Sequence, residues 1–526
     1  FGGGFNSNVD GNTKVIIGGE VYGIVAGGGY AEAGENDLSA LTLNANVSGS
    51  ATIDITNASQ YVKYVRGGGV AYQANAQNVT GKHVLNANVD KGVTITINGV
   101  ISNEDFAIIG GGYAECEPLY EFQTELKANV SGVIKLNFED NAQGYSYDDW
   151  DFYNYDVYGG GYAESVADQG SKSRSVTAQA MVTGSIEIIA VKDSINLDYQ
   201  DDHQTFRCLY GGGYASGLGS DATVTGNTTI TTARPVWESN SGVYGGGYAV
   251  KSGTADVIGT THITIQKING QYDYENANGV FGGGHAVGNY DLVISNETFK
   301  PSQANVGSTE ITIKKGAVMA PGNTSLHTSI VGGGFVDGNE QSFNNDCPAT
   351  AKVLGDVKIT IEDNVALASG FIGGGAVIIQ GNASVSGAVN IILGNNCKIV
   401  TSENRNYIGG GYAYNSNNGN SNAIANVEGD LKASFGNNVM FMESFFAGGY
   451  VEIDSASGQA DVNGNITYIF GGSASVRQNY TGNGIIKLEA GKSLSISGTA
   501  AGTTQLEIQG SPAKGQVYVT VAKGGS

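Results

Sequence analysis

Four stretches of the chain gather aromatic rings and carboxylates, the residue types that hold sugars or hard cations. The richest carries Tyr145, Tyr147, Asp148, Asp149, Trp150, Asp151, Phe152, Tyr153, Tyr155 and Asp156. A second carries Asp198, Tyr199, Asp201, Asp202 and His203, a third Trp237 and Glu238, and a fourth Tyr272, Asp273, Tyr274 and Glu275. The chain has only 2 tryptophans, Trp150 and Trp237, and both fall in this set. Ring faces stack on the C–H faces of pyranoses while carboxylates accept hydroxyl hydrogens, so glycan binding is one reading. Oxygen ligands for Ca²⁺ are a second, and a protein-partner surface rich in Tyr and Trp a third. Against them stands the plain alternative that the stretches pack on one another and shield a sheet, the acids giving solubility.

Other chemistry is thinly represented. The 5 histidines, His83, His203, His262, His285 and His327, are scattered, with no HxH or HExxH spacing, and read as loop or ladder residues. No GxSxG surrounds a serine. Cys116, Cys208, Cys347 and Cys397 lie far apart and form no CxxC pair, so zinc and redox motifs are absent. Disulfides are compatible with a secreted chain, with no pairing assignable. The balance of 27 basic against 49 acidic residues, net −22, excludes a surface built to follow a nucleic-acid backbone and disfavours an anionic lipid surface. No apolar run reaches the ~18 residues of a membrane helix.

The elements that must position these stretches come from a repeat. Of 526 residues 82 are glycine and only 6 proline. Thirteen copies of an apolar residue, a glycine run and an aromatic or alanine recur, from Gly2-Gly3-Gly4-Phe5 through Gly159-Gly160-Gly161-Tyr162 to Phe470-Gly471-Gly472-Ser473. Between them runs a second unit, Val-x-Gly followed by apolar residues at every second position, as in Val47, Gly49, Ala51, Ile53 and Ile55. Period two with β-branched residues is a strand with one buried face. The frequent Ala two places before the Val, as at Ala45, Ala87 and Ala128, marks the expected strand start. In Val89-Asp90-Lys91-Gly92 the glycine falls one place late, which a bulge would absorb.

The shortest steps between copies, from Gly2 to Gly27 and from Ala447 to Phe470, fit one turn of a parallel β-helix, and longer steps are the same turn with loops inserted at a corner. The fold expected is all-β: one parallel β-solenoid of about thirteen coils over residues 1–480, with a C-terminal β extension or cap over 481–526. Glycine is expected at the triglycines because sharp bends call for φ > 0. Tyr30, Tyr113, Tyr162, Tyr214, Tyr248, Tyr412 and Tyr450 should form a ladder, with His285 and Phe335 as variants. Val47, Val130, Val182, Val224, Val257, Val353, Val385 and Val427 should stack inside. The outward column Lys14, Thr52, Thr94, Lys135, Glu187, Thr229, His262, Glu310, Lys358, Asn390, Lys432, Thr467 mixes signs like a solvated face.

The Val-x-Gly-x-Thr-x-Ile and Val-Tyr-Gly-Gly-Gly-Tyr-Ala units resemble the repeats of large glycine-rich surface proteins of bacteria, particularly gut Gram-positives. More distantly they resemble adhesin passengers and pectate-lyase-type enzymes. The resemblance covers about residues 1–480 and implies an extracellular or cell-surface structural or adhesive protein or fibre subunit. A secreted β-helix polysaccharide lyase or hydrolase is the alternative, and no cofactor is implied. The chain opens on a triglycine unit without an initiator Met, so processing or a longer parent is expected. End-to-end contact with other copies, or with further segments of a longer chain, is expected through uncovered strand edges.

Overall fold

The computed structural model describes the chain except residues 20, 22, 38, 57–61, 75–80, 103–106, 118–122, 140–141, 146–155, 166–174, 192–207, 234–241, 267–278, 289–300, 320–329, 338–348, 369–370, 379, 401–404, 416–421, 454–456, 498, 503, 512–513 and 523–526. All pairings between strands among the described residues are parallel, and no helix occurs there. The protein is a parallel β-solenoid. Its longest face is a 14-stranded sheet in which each Val-x-Gly strand pairs with that of the next coil, from Thr13–Ile17 to Thr504–Gln509. At ~4.8 Å per strand this face is about 60 Å long.

The register of that sheet follows from its apolar period. Ala51, Ile53 and Ile55 alternate with half-buried Thr52 and Asp54 and are themselves fully buried. The valine column runs unbroken from Val9 to Val462, each valine bridging the next. The outward column pairs residue for residue from Lys14 through Thr52, Lys135, His262 and Lys358 to Thr467. Most strands of this sheet begin after the valine, as at Ser50–Ile55, instead of at the alanine. The Ala-x-Val step is the link from a third face, where Leu41–Asn44, His83–Asn86 and Gln123–Lys127 lie side by side. The coil at Val89 needs no bulge. Ser50 and Val133 both pair with Gly92 without a register shift, because the four-residue step from Val to the first inward residue is unchanged, as in Val47 to Ala51 and Val89 to Val93. Lys91 simply stands where other coils have glycine.

The triglycines sit between two arms of a second sheet and continue its coil-to-coil hydrogen bonding, for example Gly27 N to Arg66 O and Gly28 N to Gly68 O, both 2.9 Å. Most of them do not adopt φ > 0; among the triglycines only Gly409 and Gly448 do, at 130° and 97°. The expectation of left-handed bends is therefore replaced by a steric reason. A Cβ on Gly28 would stand 2.6 Å from Gly69 N of the next coil, and one on Gly27 would stand 3.1 Å from the Ala51 Cβ across the coil. The third glycine presses on the Ala carbonyl of the Ala-x-Val link, as Gly112 does on Ala128. The segment is thus pushed inward against the opposite wall. This pinch divides the interior into an aliphatic lobe of Val, Ile and Leu and a thinner lobe built mostly of alanine.

Side-chain ladders reinforce the stack. The residue between Ala and Val links coils through its amide: Asn88 N donates to Asn46 Oδ1, Asn129 N to Asn88 Oδ1 and Met181 N to Asn129 Oδ1, each at 2.9 Å. Inward-facing threonines of the long sheet reach the triglycine carbonyls: Thr13, Thr228 and Thr309 donate to Gly27, Gly245 and Gly332 O at 2.6, 2.7 and 2.6 Å. Beyond residue 480 the strands Gly484–Glu489 and Thr504–Gln509 extend the long sheet in register. Leu494–Ile496 and Val519–Val521 likewise extend a 7-stranded face that begins at Val318–Met319.

Candidate functional site

The described strands that flank the four aromatic-acidic stretches stand next to one another along the stack of coils. The strands that lead into them, Val133–Phe138, Ile186–Ala190, Thr228–Thr232 and Val257–Ile265, are neighbours in the long sheet. The strands that follow, Asp156–Tyr158, Cys208–Tyr210, Gly242–Tyr244 and Val280–Phe281, are neighbours in the triglycine sheet. Tyr145 is placed on Gln143–Tyr145, whose partner is Val100–Ser102, with Tyr145 opposite Ser102. Tyr147, Asp148, Asp149, Trp150, Asp151, Tyr153, Tyr155, Asp198, Tyr199, Asp201, Asp202, Trp237, Glu238, Tyr272, Asp273, Tyr274 and Glu275 lie outside the described residues.

At these strands the inward pinch of the triglycines does something the sequence pattern hides. Residues flanking the bend on its outer side are tilted toward each other, so two outward columns merge into one aromatic cluster. The column after the triglycine is the expected ladder, running Tyr113, Tyr162, Tyr214, Tyr248, His285, Phe335 in register. The column before it, Tyr158, Tyr210, Tyr244 and Phe281, is equally regular and more deeply buried. Its signal was the aromatic directly preceding each of these triglycines. Within the columns Tyr162 and Tyr214 stack at 4.4 Å and Tyr210 and Tyr244 at 4.8 Å, and between them Tyr158 meets Tyr214 edge-on at 5.5 Å. Such contacts contribute about 0.5–1.5 kcal/mol per pair beyond area burial. Because the faces of these rings cover one another, they are closed to a sugar.

Acids line the outer edge of the ladder. A residue two places after an outward tyrosine shares its face, and Glu115 and Glu164 occupy that place. Tyr113 Oη donates to Glu115, and Tyr162 Oη donates to Glu164 Oε2 at 2.5 Å. Burial pushes the Glu115 carboxyl above the usual range, and burial likewise pushes the Tyr214 phenol up to about 12. One coil earlier Arg66 takes the place of a ring, its guanidinium lying 3.3 Å from the Tyr113 centroid as a cation–π contact.

The histidines have separate duties. His83 is fully buried, with Nδ1 2.7 Å from Gln73 Oε1 and Nε2 2.8 Å from Ser39 O. His262 stands on the long outer face beside Glu310 at 3.2 Å, among exposed pairs such as Lys135–Glu187, also 3.2 Å, each worth little. His285 is packed within the ladder between Tyr248 and Phe335, at 4.8 and 5.0 Å, and burial pushes its pKa down to about 3. A neutral folded histidine below its unfolded value of 6.5 means that the unfolded chain binds the extra proton as pH falls. Stability present at neutral pH is therefore lost on acidification from about 6.5 toward 3, at a slope of at most about 1.4 kcal/mol per pH unit. His285→Phe, a residue this column already uses, should flatten that part of the profile in denaturant titrations run across this range.

Cys116, Cys208 and Cys397 are buried, in the alanine lobe, the aromatic cluster and the aliphatic lobe respectively. Among the described residues no group of three or more His, Cys, Asp or Glu is arranged to hold a metal ion, and no helix is long and apolar enough to cross a membrane. No family model matches the chain, and no curated protein matches it.

Proposed function

We propose that the protein is an extracellular or cell-surface structural element, a rod or fibre segment that carries an adhesive stripe at one corner. The observation that supports this is the regular in-register stack of coils, in which the described strands before and after the four aromatic-acidic stretches are neighbours from coil to coil. A rigid rod spaces such stretches at a fixed repeat, which suits a ligand that is itself a repeating polymer, and glycans fit the residue types. The long sheet also ends in an edge strand on each side, Thr13–Ile17 and Thr504–Gln509, and edges of this kind pair with further strands. In this reading they join copies, or segments of a longer chain, end to end.

A glycan array with the purified protein tests the adhesive part. Trp150→Ala with Trp237→Ala should abolish the binding seen with the native chain; unchanged binding would remove the stripe from the account. Release of reducing ends from a bound polysaccharide would assign the protein to polysaccharide processing instead. Sedimentation tests the assembly part, a strictly monomeric native species counting against a fibre.

A further inference from the structure

The merged aromatic cluster holds a feature that packing does not require. Seven tyrosines form one contiguous set. Tyr158, Tyr210 and Tyr244 stack at 5.1 and 4.8 Å. Tyr113, Tyr162, Tyr214 and Tyr248 follow one another at 4.7, 4.4 and 5.5 Å. Tyr158–Tyr214 and Tyr210–Tyr248 join the two columns at 5.5 and 5.4 Å. Along the two columns the set ends at Val70 and Ile109 on one side and at Phe281 and His285 on the other, and the Cys208 thiol sits in the same cluster, two places before Tyr210 on its strand. Phe281 and Phe335 also show that phenylalanine fills these columns.

What tyrosine adds to phenylalanine is a hydroxyl, and several of these hydroxyls donate to a carboxylate. Tyr113 donates to Glu115, Tyr162 to Glu164 Oε2 at 2.5 Å and Tyr158 to Asp156 Oδ2 at 3.2 Å. One-electron oxidation of a phenol near neutral pH requires the phenolic proton to leave with the electron, because the radical cation is a strong acid. A ring stack with an acceptor at each of several hydroxyls provides for both.

We propose that the tyrosines of residues 113–248 form a bounded relay that takes up oxidising equivalents from one-electron oxidants of the peroxyl-radical class. In the first step the oxidant takes an electron from a half-buried ring such as Tyr162 while its Oη–H proton passes to Glu164, leaving a neutral tyrosyl radical, a protonated carboxyl and the reduced oxidant. The radical then exchanges between rings that have a carboxylate: Tyr113 passes an electron directly to Tyr162, and Tyr158 passes one across the Tyr214 ring, each handing its proton to Glu115 or Asp156 while Glu164 returns its proton to the refilled Tyr162. A one-electron reductant of the ascorbate or thiolate class supplies the electron that ends the cycle, and the carboxyl returns the proton. Sharing between the half-buried column and the buried one keeps the radical away from other chains, which suppresses dityrosine coupling.

Flash-quench oxidation of the intact chain with photogenerated tris(bipyridine)ruthenium(III) tests this, read by transient tyrosyl absorbance, freeze-quench EPR and peptide mapping of oxidation products. The native protein should give a long-lived tyrosyl signal, little dityrosine, and a solvent-deuterium slowing of radical formation. Tyr158→Phe, Tyr210→Phe and Tyr244→Phe together should shorten the lifetime and raise dityrosine at Tyr162 and Tyr214. Glu164→Gln, at a partly exposed position, should slow radical formation and lose the deuterium effect, and it carries the test alone if the triple variant does not fold. Lifetimes and product maps identical in native and variant proteins, or oxidation confined to tyrosines outside the seven, would overturn the relay.

Discussion

Gly112→Ala should cost the protein about 3 kcal/mol or more, at or beyond the upper end of ordinary overpacking. The alanine Cβ would fall inside contact distance of the Ala128 carbonyl oxygen, backbone on a fully buried link that has no room to retreat. The same geometry recurs where Gly69 meets Ala87 and Gly161 meets Ala180, so Gly161→Ala should behave alike. Gly19→Ala is the control: a Cβ there meets nothing within 4 Å and its backbone is not left-handed, so the change should stay within about 0.5 kcal/mol. Urea titration of the three variants measures the contrast. Equal small effects at all three positions would mean that the triglycine is not wedged against the opposite wall.

The second large effect is expected near the far end of the aliphatic lobe. Phe435 is buried between Phe470 at 4.7 Å, Phe441 at 5.5 Å, Phe445 at 6.2 Å and Tyr468 at 6.3 Å. Truncation to alanine in so crowded a cluster should cost about 3–5 kcal/mol. Tyr468 is tied down besides, donating to Ile408 O at 3.1 Å and accepting from Gly448 N at 2.9 Å, so the cavity has little freedom to collapse. Because each coil touches mainly its neighbours, the loss should stay local. Hydrogen exchange of Phe435→Ala should show lost protection in Val389–Leu393 and Ile466–Phe470, whereas Ser50–Ile55 and Gly92–Ile97 should keep theirs. Uniform loss along the chain would indicate a single cooperative unit instead of a stack.

How much of this was legible in the residues depends on which interaction decides each feature. The valine column and the outward column from Lys14 to Thr467 were readable because a strict period of two admits one register when one face is buried. At Val89 the glycine is a poor landmark, because register is carried by the spacing from valine to the first inward residue. The triglycines misled for a related reason. Glycine has two uses, left-handed backbone and absent side chain, and only the neighbouring coil and opposite wall reveal which one applies. The merging of Tyr158, Tyr210 and Tyr244 with the ladder depends on that inward pinch and has no one-dimensional signature beyond the aromatic before the bend. Of the residues in the four stretches, Tyr145 and Asp156 fall on described backbone, and the others lie outside the described residues.

The central claim is that successive coils stack in parallel and in register, one strand spacing apart. Pairs of ketone-reactive spin labels on p-acetylphenylalanine, which spare the buried native cysteines, test it through electron–electron distances along the outward column. Lys14 paired with Thr229, Asn390 or Thr467 spans five, nine or eleven coil steps. At ~4.8 Å per step the distances should be roughly 24, 43 and 53 Å and rise linearly with coil number. Distances that fail to increase with coil number, or that fold back between Thr229 and Thr467, would contradict the solenoid.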